Sequence, residues 1–216
     1  MNGVAFTALV AAGLAAAINW CALATDRRHV ELVAKPLATA LLVVVAATAG
    51  APGGDVRAAL VVAAVGGLAG DIALLRDSEP RFMAGLGSFA IGHVAYVVAA
   101  LAVGVSWPHA LIALPFVAVL LGWRFLPETA PGARRAGGTV LFLAVLGYAM
   151  IISAMVVTAT ATGSVVAAIG AMLFAISDWV LGYDRFVRPL RHSHLAVMVP
   201  SHVGQGLLIV GLALSG

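Results

Sequence analysis

Residues 164–183 read SVVAAIGAMLFAISDWVLGY, a stretch of twenty residues in which Asp178 is the only charged side chain. A transmembrane helix needs about 20 mostly apolar residues, so this stretch predicts a membrane span. The whole chain has the same character. Of its 216 residues, 62% are hydrophobic and 10% are charged, and the mean hydropathy is +1.09. A soluble domain has about 25% charged residues. The composition therefore excludes a soluble globular protein, a disordered chain and a nucleic-acid-binding module.

Seven other runs of this kind are bounded by charges, proline or glycine. They predict an all-α, polytopic membrane protein with eight transmembrane helices in a single integral membrane domain, residues 1–216. The connections are too short to hold a soluble domain. Residues 1–7 carry no Lys or Arg, so the first run is interpreted as a retained span rather than a signal peptide. The predicted spans are Val4–Ala24, Val33–Gly50, Ala58–Leu75, Met83–Val103, Ala110–Leu126, Thr139–Ala159, Ser164–Tyr183 and Leu195–Leu214.

The basic residues predict the orientation of these spans. Eleven of the twelve Lys and Arg residues follow odd-numbered spans, and Arg57 alone follows an even one. Cytoplasmic loops are enriched in Lys and Arg, so the odd connections are predicted to be cytoplasmic and both termini to face outward. The composition, rich in Ala, Gly, Val and Arg, is typical of a high-GC bacterium and indicates a bacterial inner membrane. The eleven residues are Arg27, Arg28, Lys35, Arg76, Arg81, Arg124, Arg134, Arg135, Arg185, Arg188 and Arg191.

Five polar residues lie inside five different predicted spans, where ionisable groups are costly and often functional. At 1.5 Å per residue, they lie roughly 7 to 15 Å from the predicted cytoplasmic edge. Their similar depth predicts one polar cavity open to the cytoplasmic leaflet. They are Asn19, Asp71, His93, Asp178 and His202, with Tyr96, Ser177, Ser201 and Gln205 nearby.

Each of these residues also has a structural interpretation. Asp71 is close enough to the helix end to reach the interface, and a histidine in a span often bonds only a neighbouring backbone group or hydroxyl. Lys35 is either a snorkelling residue or a cation at the mouth of the cavity.

The two halves of the chain resemble each other. Gly70-Asp71 on the third span resembles Ser177-Asp178 on the seventh, and Gly92-His93 on the fourth resembles Ser201-His202 on the eighth. This similarity suggests two four-helix repeats, residues 1–104 and 105–216, of parallel topology about an axis normal to the membrane.

Two carboxylates in a low-dielectric pocket are a recurring acid–base device. Burial and mutual repulsion keep one of them protonated while the other stays ionised. Asp71 and Asp178 are the candidates, and His93 or His202 is a candidate to orient water or carry protons. The chain has one cysteine, Cys21, and neither an H-E-x-x-H nor a G-x-S-x-G motif. No cofactor or metal site is therefore predicted, although a zinc site of the two histidines and two aspartates is chemically possible.

A set of motifs in order along the chain resembles the YhhN/TMEM86 family of eight-span membrane proteins. The motifs are Asn19, Lys35-Pro36, Gly70-Asp71, Phe82-x-x-Gly85-x-x-Ser88-Phe89-x-x-x-His93-x-x-Tyr96 and Ser177-Asp178. The resemblance implies a lysoplasmalogenase, which hydrolyses the vinyl ether of a lysoplasmalogen to a fatty aldehyde and a glycerophospho-alcohol. It implies a lysophospholipid substrate in the membrane, whose phosphate would meet Lys35, Arg76 or Arg81 at the cytoplasmic rim.

The implied activity fits paired-aspartate catalysis by Asp71 and Asp178, in which one neutral and one ionised carboxyl group act as acid and as stabilising charge. The residues that would line the cavity or bind substrate are Asn19, Lys35, His93, Tyr96, Ser177 and His202. Two other functions remain open. One is a small-solute or lipid transporter. The polar residues do not continue to the outer face, which argues against a path across the membrane. The other is a metal-dependent membrane hydrolase that uses the histidines with the aspartates.

Overall fold

The computed structural model describes residues 1–76 and 78–215, and within these residues it contains helices and no strand. The all-α prediction is therefore confirmed. The helices are α1 (Gly3–Ala24), α2 (Arg28–Thr48), α3 (Gly54–Ala73), α4 (Glu79–Val103), α5 (Trp107–Leu120), a π-helical segment (Leu121–Thr129), α6 (Ala130–Ala161), α7 (Val165–Phe186) and α8 (Ser193–Ala213).

Seven helical stretches of the described chain are long and apolar enough to cross a membrane. Six of them correspond to six of the predicted spans. The remaining stretch, Trp107–Ala161, has 55 residues and contains both the fifth and the sixth predicted spans. A straight helix of that length would be about 80 Å long, far more than the ~30 Å of a bilayer core.

The connection expected at residues 127–138 is mostly helical. The π-helical segment includes Pro127, and Pro131 lies in the first turn of α6, where a missing N–H is tolerated. The helical dihedral angles end at Gly137 and Gly138, and Gly138 has a φ of +66°. Glycine adopts such an angle at little cost, so the chain reverses here and α6 packs back against α5.

Glycines bring the helices of two pairs into backbone contact. On α3, a Cβ at Gly66 would lie 2.9 Å from the backbone N of Gly92 on α4. On α7, a Cβ at Gly170 would lie 2.5 Å from the backbone N of Leu208 on α8. Membrane helices associate largely by such close packing of small residues. The α3–α4 and α7–α8 pairs are thereby held tightly around the buried polar groups.

Contacts between the connections show which of them lie at the same end of the bundle. At one end the Asn2 Nδ2 donates to the Thr48 carbonyl at 2.8 Å, and the Ser106 N–H donates to the Ala161 carbonyl at 2.7 Å. These contacts join the start of α1 to the end of α2, and the start of α5 to the end of α6.

At the other end the Arg28 guanidinium donates to the Leu75 carbonyl, and the Tyr183 hydroxyl donates to Glu128 Oε2 at 3.2 Å. Arg28, Arg76 and Arg185 line one cavity at this end, which we call the basic end. The connections after the first, third, fifth and seventh predicted spans therefore lie together.

Candidate active site: two buried aspartates

Asp71 is completely buried on α3 and is paired with a cation from α2. The Lys35 Nζ lies 3.5 Å from Asp71 Oδ1, and its side chain is 5% exposed. The Thr39 hydroxyl, one helical turn after Lys35, donates to Asp71 Oδ2 at 2.5 Å. A buried carboxylate needs a partner of opposite charge, and Lys35 is placed to supply it.

His202 on α8 lies close enough to interact electrostatically with both Asp71 and Lys35. Its Nδ1 accepts a hydrogen bond from the indole N–H of Trp20 on α1 at 3.2 Å. In a neutral imidazole only one nitrogen carries a proton, so this bond places the proton on Nε2. Four helices, α1, α2, α3 and α8, thus contribute to the Asp71 cluster, which comprises Asp71, Lys35, Thr39, His202 and Trp20.

Asp178 on α7 forms a second cluster with residues of α4 and α6. The His93 Nε2 lies 2.9 Å from Asp178 Oδ2 and 3.1 Å from the Tyr148 hydroxyl. The side chains of His93 and Asp178 are 1% and 5% exposed. Tyr148 also interacts electrostatically with Asp178. The Asp178 cluster therefore holds an imidazole nitrogen and a carboxyl group within hydrogen-bond distance of each other in a buried site.

Two phenylalanines lie between the Asp71 and Asp178 clusters. Phe89 covers Gly70, where a Cβ would lie 2.5 Å from the Phe89 ring. The Phe89 ring meets Phe174 edge to face, and Phe174 lies edge to face against His93 with ring centroids 4.8 Å apart. Five of the eight predicted site residues thus lie in two clusters that adjoin through aromatic rings.

A polar cavity of about 950 Å³ opens at the basic end, and Lys35 lines it. Glu31 and Asp184 lie among its basic residues. Phe82 and Leu181 lie at its wall, and Arg185 lies over the Phe82 ring at 5.0 Å. The cavity can accept a zwitterionic or anionic group beside the Asp71 cluster, because it presents both signs of charge with several arginines.

A second cavity, of about 560 Å³, is almost wholly apolar and is lined by Asp178 and Tyr148. Phe82 and Leu181 line this cavity as well, so the two cavities are neighbours. Phe125 of the π-helical segment lies in its wall. The irregular segment between α5 and α6 therefore contributes to the site. The apolar lining suits a hydrocarbon group beside the Asp178 cluster.

Three other predicted residues lie outside both clusters. Asn19 is fully buried, and neither of its amide atoms has a hydrogen-bond partner among the described residues. The Tyr96 hydroxyl is likewise buried without one. Ser177 donates to the Val197 carbonyl at 2.9 Å, a bond that fastens α7 to α8.

Thr39, Tyr148 and Trp20 belong to the clusters but were not among the predicted site residues. Thr39 follows Lys35 by four residues, which places both on one face of α2. Tyr148 lies in the middle of a predicted span, away from the interfaces where tyrosine is enriched. Those signals are present in the sequence, whereas the Trp20–His202 contact joins positions 182 residues apart. Among residues 1–76 and 78–215, no three His, Cys, Asp or Glu side chains are grouped to hold a metal ion.

The profile of the YhhN family matches residues 30–212 of this chain. Two curated proteins are similar to it. The human protein named Lysoplasmalogenase TMEM86B is 32% identical over 157 residues, covering 70% of this chain and 60% of the human protein. The pig protein of the same name is 30% identical over 167 residues, covering 76% and 67%. The match thus spans less than two thirds of the human protein. No solved structure matches the chain significantly. With its membrane-spanning helices and a profile match over most of its length, the chain is an integral membrane protein that belongs to the YhhN family.

Proposed function

We propose that this protein is a membrane-embedded hydrolase that cleaves the vinyl ether bond of a lysoplasmalogen or a related lysolipid. Water adds across the bond, and the products are a fatty aldehyde and a glycerophospho-alcohol. The names of the two relatives support this reaction class. The observation that carries it is the pair of buried aspartates with unlike partners, one beside a lysine and one beside a histidine.

The Asp178 cluster supplies the acid. Vinyl ether hydrolysis begins when a proton is added to the alkene carbon, which leaves an oxocarbenium ion. The His93–Asp178 pair would hold this proton, and Asp178 lines the apolar cavity, where a hydrocarbon chain would place its first double bond. General acid catalysis of this kind contributes roughly 10²–10⁴-fold.

Asp71 supplies a fixed negative charge. Lys35 and Thr39 keep its carboxylate ionised and oriented, so it stabilises the oxocarbenium ion and assists the water that attacks it. Water adds to the ion and loses a proton, and the resulting hemiacetal collapses to aldehyde and alcohol. The net reaction consumes one water and needs no redox partner.

The two adjoining cavities would hold different parts of the substrate. The phosphate lies in the polar cavity near Arg76 and Lys35, since cation–phosphate hydrogen bonds are strong. The hydrocarbon chain lies in the apolar cavity behind Phe82 and Leu181. The vinyl ether joins these two parts and lies where the cavities meet.

The topology belongs to the same proposal. We propose a single membrane domain in which the chain crosses eight times, with α5 and Thr139–Ala161 as separate crossings, and in which the basic end is cytoplasmic in a bacterial inner membrane. The crossed arrangement of the aspartates supports two parallel repeats. Asp71 of the first half is near His202 of the second, and Asp178 of the second half bonds His93 of the first.

Purified protein incubated with a mixed lysolipid extract tests the function. Mass spectrometry should show loss of vinyl-ether lysolipids and formation of fatty aldehydes, while ester lysolipids persist. An extract that is unchanged by the protein would refute the proposal. Loss of turnover in a chelator, together with bound metal that disappears in His93→Ala, would replace this mechanism by that of a metal-dependent hydrolase.

A further inference from the structure

Gln205 on α8 is a buried polar side chain that the proposed mechanism does not use. It is 0% exposed, and neither its Oε1 nor its Nε2 has a hydrogen-bond partner among the described residues. Burying an amide without hydrogen-bond partners is energetically costly. A side chain that serves only the fold would be expected to have partners.

The amide of Gln205 lies against Gly67 of α3. A Cβ at Gly67 would lie 2.9 Å from Gln205 Oε1 and 3.0 Å from Nε2, so only glycine leaves room for the amide there. Gly67 precedes Asp71 by four residues, and residues four apart share one face of a helix. The Gln205 amide therefore lies against the face of α3 that carries Asp71, one helical turn away.

His202 and Asp71, which interact electrostatically, each have a further buried and unpartnered atom. His202 precedes Gln205 by three residues on α8, and its Nε2, which carries the proton, has no hydrogen-bond partner in the described chain. Asp71 Oδ1 has no hydrogen bond there either and has only the Lys35 ammonium at 3.5 Å. The set thus offers one donor from His202, one acceptor from Asp71, and both kinds from Gln205.

A hydroxyl group matches this set, because it donates one hydrogen bond and accepts others. We propose that Gln205, His202 and Asp71 form a subsite for a hydroxyl group, and that Gln205 is a specificity-determining residue. The inference rests on the proposed function for its ligand. The hydroxyl is either the free one on the glycerol of a lysolipid or that of a water molecule. In the first case the subsite selects lysolipids over lipids acylated at that position.

The test measures binding without chemistry. The probes are a saturated alkyl-ether lysophosphatidylcholine, which has no vinyl bond to cleave, and its derivative with the glycerol hydroxyl methylated. Wild type should bind the methylated lipid at least about tenfold more weakly, because a site built around a hydroxyl rejects an analogue that lacks it. Gln205→Met should bind the two lipids within about twofold of each other.

Two variants serve as companions. Gly67→Ala keeps Gln205 but places a Cβ 2.9 Å from its Oε1, so the amide must move. This variant should also lose the discrimination between the two lipids. Thr160→Val is the matched control, because Thr160 is buried but its hydroxyl bonds its own helix at the Val156 carbonyl. It should discriminate as wild type does. Gln205→Met should also be at least as stable as wild type without lipid, since it removes unpaired polar atoms.

The outcomes separate the two sources of the hydroxyl and the two proposals. If wild type binds both lipids equally, but Gln205→Met slows vinyl ether hydrolysis about tenfold with lipid binding unchanged, the subsite holds water. If Gln205→Met changes neither the discrimination nor the turnover, or loses stability, the subsite is refuted while wild-type hydrolysis still supports the proposed function. Discrimination without any hydrolysis would leave the subsite standing and overturn the proposed function.

Discussion

Asp71 and Asp178 are both buried but have different partners, so replacing each should remove a different part of the proposed mechanism. Asp71→Asn and Asp178→Asn keep the side-chain size and remove the ionisable group. Each should lower vinyl ether hydrolysis about 10²–10⁴-fold in assays on purified protein. The double variant should be little less active than the less active of the two single variants, because the effects of substituting groups that act as a unit are not additive.

Asp55→Asn is the control for this pair, since Asp55 is exposed in the first turn of α3. It should keep full activity. Full turnover by both buried-site variants on every lysolipid tested would rule out paired-aspartate catalysis.

Lys35 stabilises the fold through Asp71, and its removal leaves a buried carboxylate without its cation. Breaking a buried ion pair in this way costs about 3–5 kcal/mol. Lys35→Met should therefore lower the free energy of unfolding by about that amount, measured by denaturation in detergent. Lys35→Met combined with Asp71→Asn should recover most of the loss, because no unpaired charge remains. If the double variant is as unstable as Lys35→Met alone, the charge pair is not the cause.

At the scale of the helix, α8 carries glycines in tight and in open surroundings. A Cβ at Gly211 would lie 2.4 Å from the backbone N of Ala167 on α7, whereas the nearest atom to a Cβ at Gly206 is Leu42 Cδ2, at 3.8 Å. Gly211→Ala should lower stability by about 1–3 kcal/mol or more, as overpacking does, while Gly206→Ala should be neutral. Equal melting temperatures for the two variants would contradict the tight α7–α8 contact.

For the whole molecule, the distribution of basic residues predicts which end faces the cytoplasm. A reporter that is active only in the cytoplasm should be inactive when fused at the C-terminus and active when inserted after Arg135. The physical reason is that Lys and Arg are retained on the cytoplasmic side during insertion. A dual reporter that fluoresces only inside and is enzymatically active only outside provides the internal control. Activity of the inside reporter at the C-terminus would reverse the orientation.

The amino-acid pattern is enough to predict that the chain is helical and lies in a membrane, because the length and hydropathy of each run depend on local composition. It also identified Asp71, Asp178, His93, His202 and Lys35 as candidates, since an ionisable residue in an apolar run stands out. The motifs around them identified the family, which the profile match confirms.

Which of these residues contact each other depends on how the helices pack. Asp71 pairs with Lys35 and lies near His202, while Asp178 bonds His93 and adjoins Tyr148. These partners are separated by 30 to 131 positions along the chain, so no local pattern specifies them. They depend on which helices pack together and at what rotation, and that is set by close contacts such as Gly66 on Gly92 and Gly170 on Leu208. The similar depth predicted for the polar residues depends only on their positions within single helices. Their division into two clusters depends on how all of the helices pack.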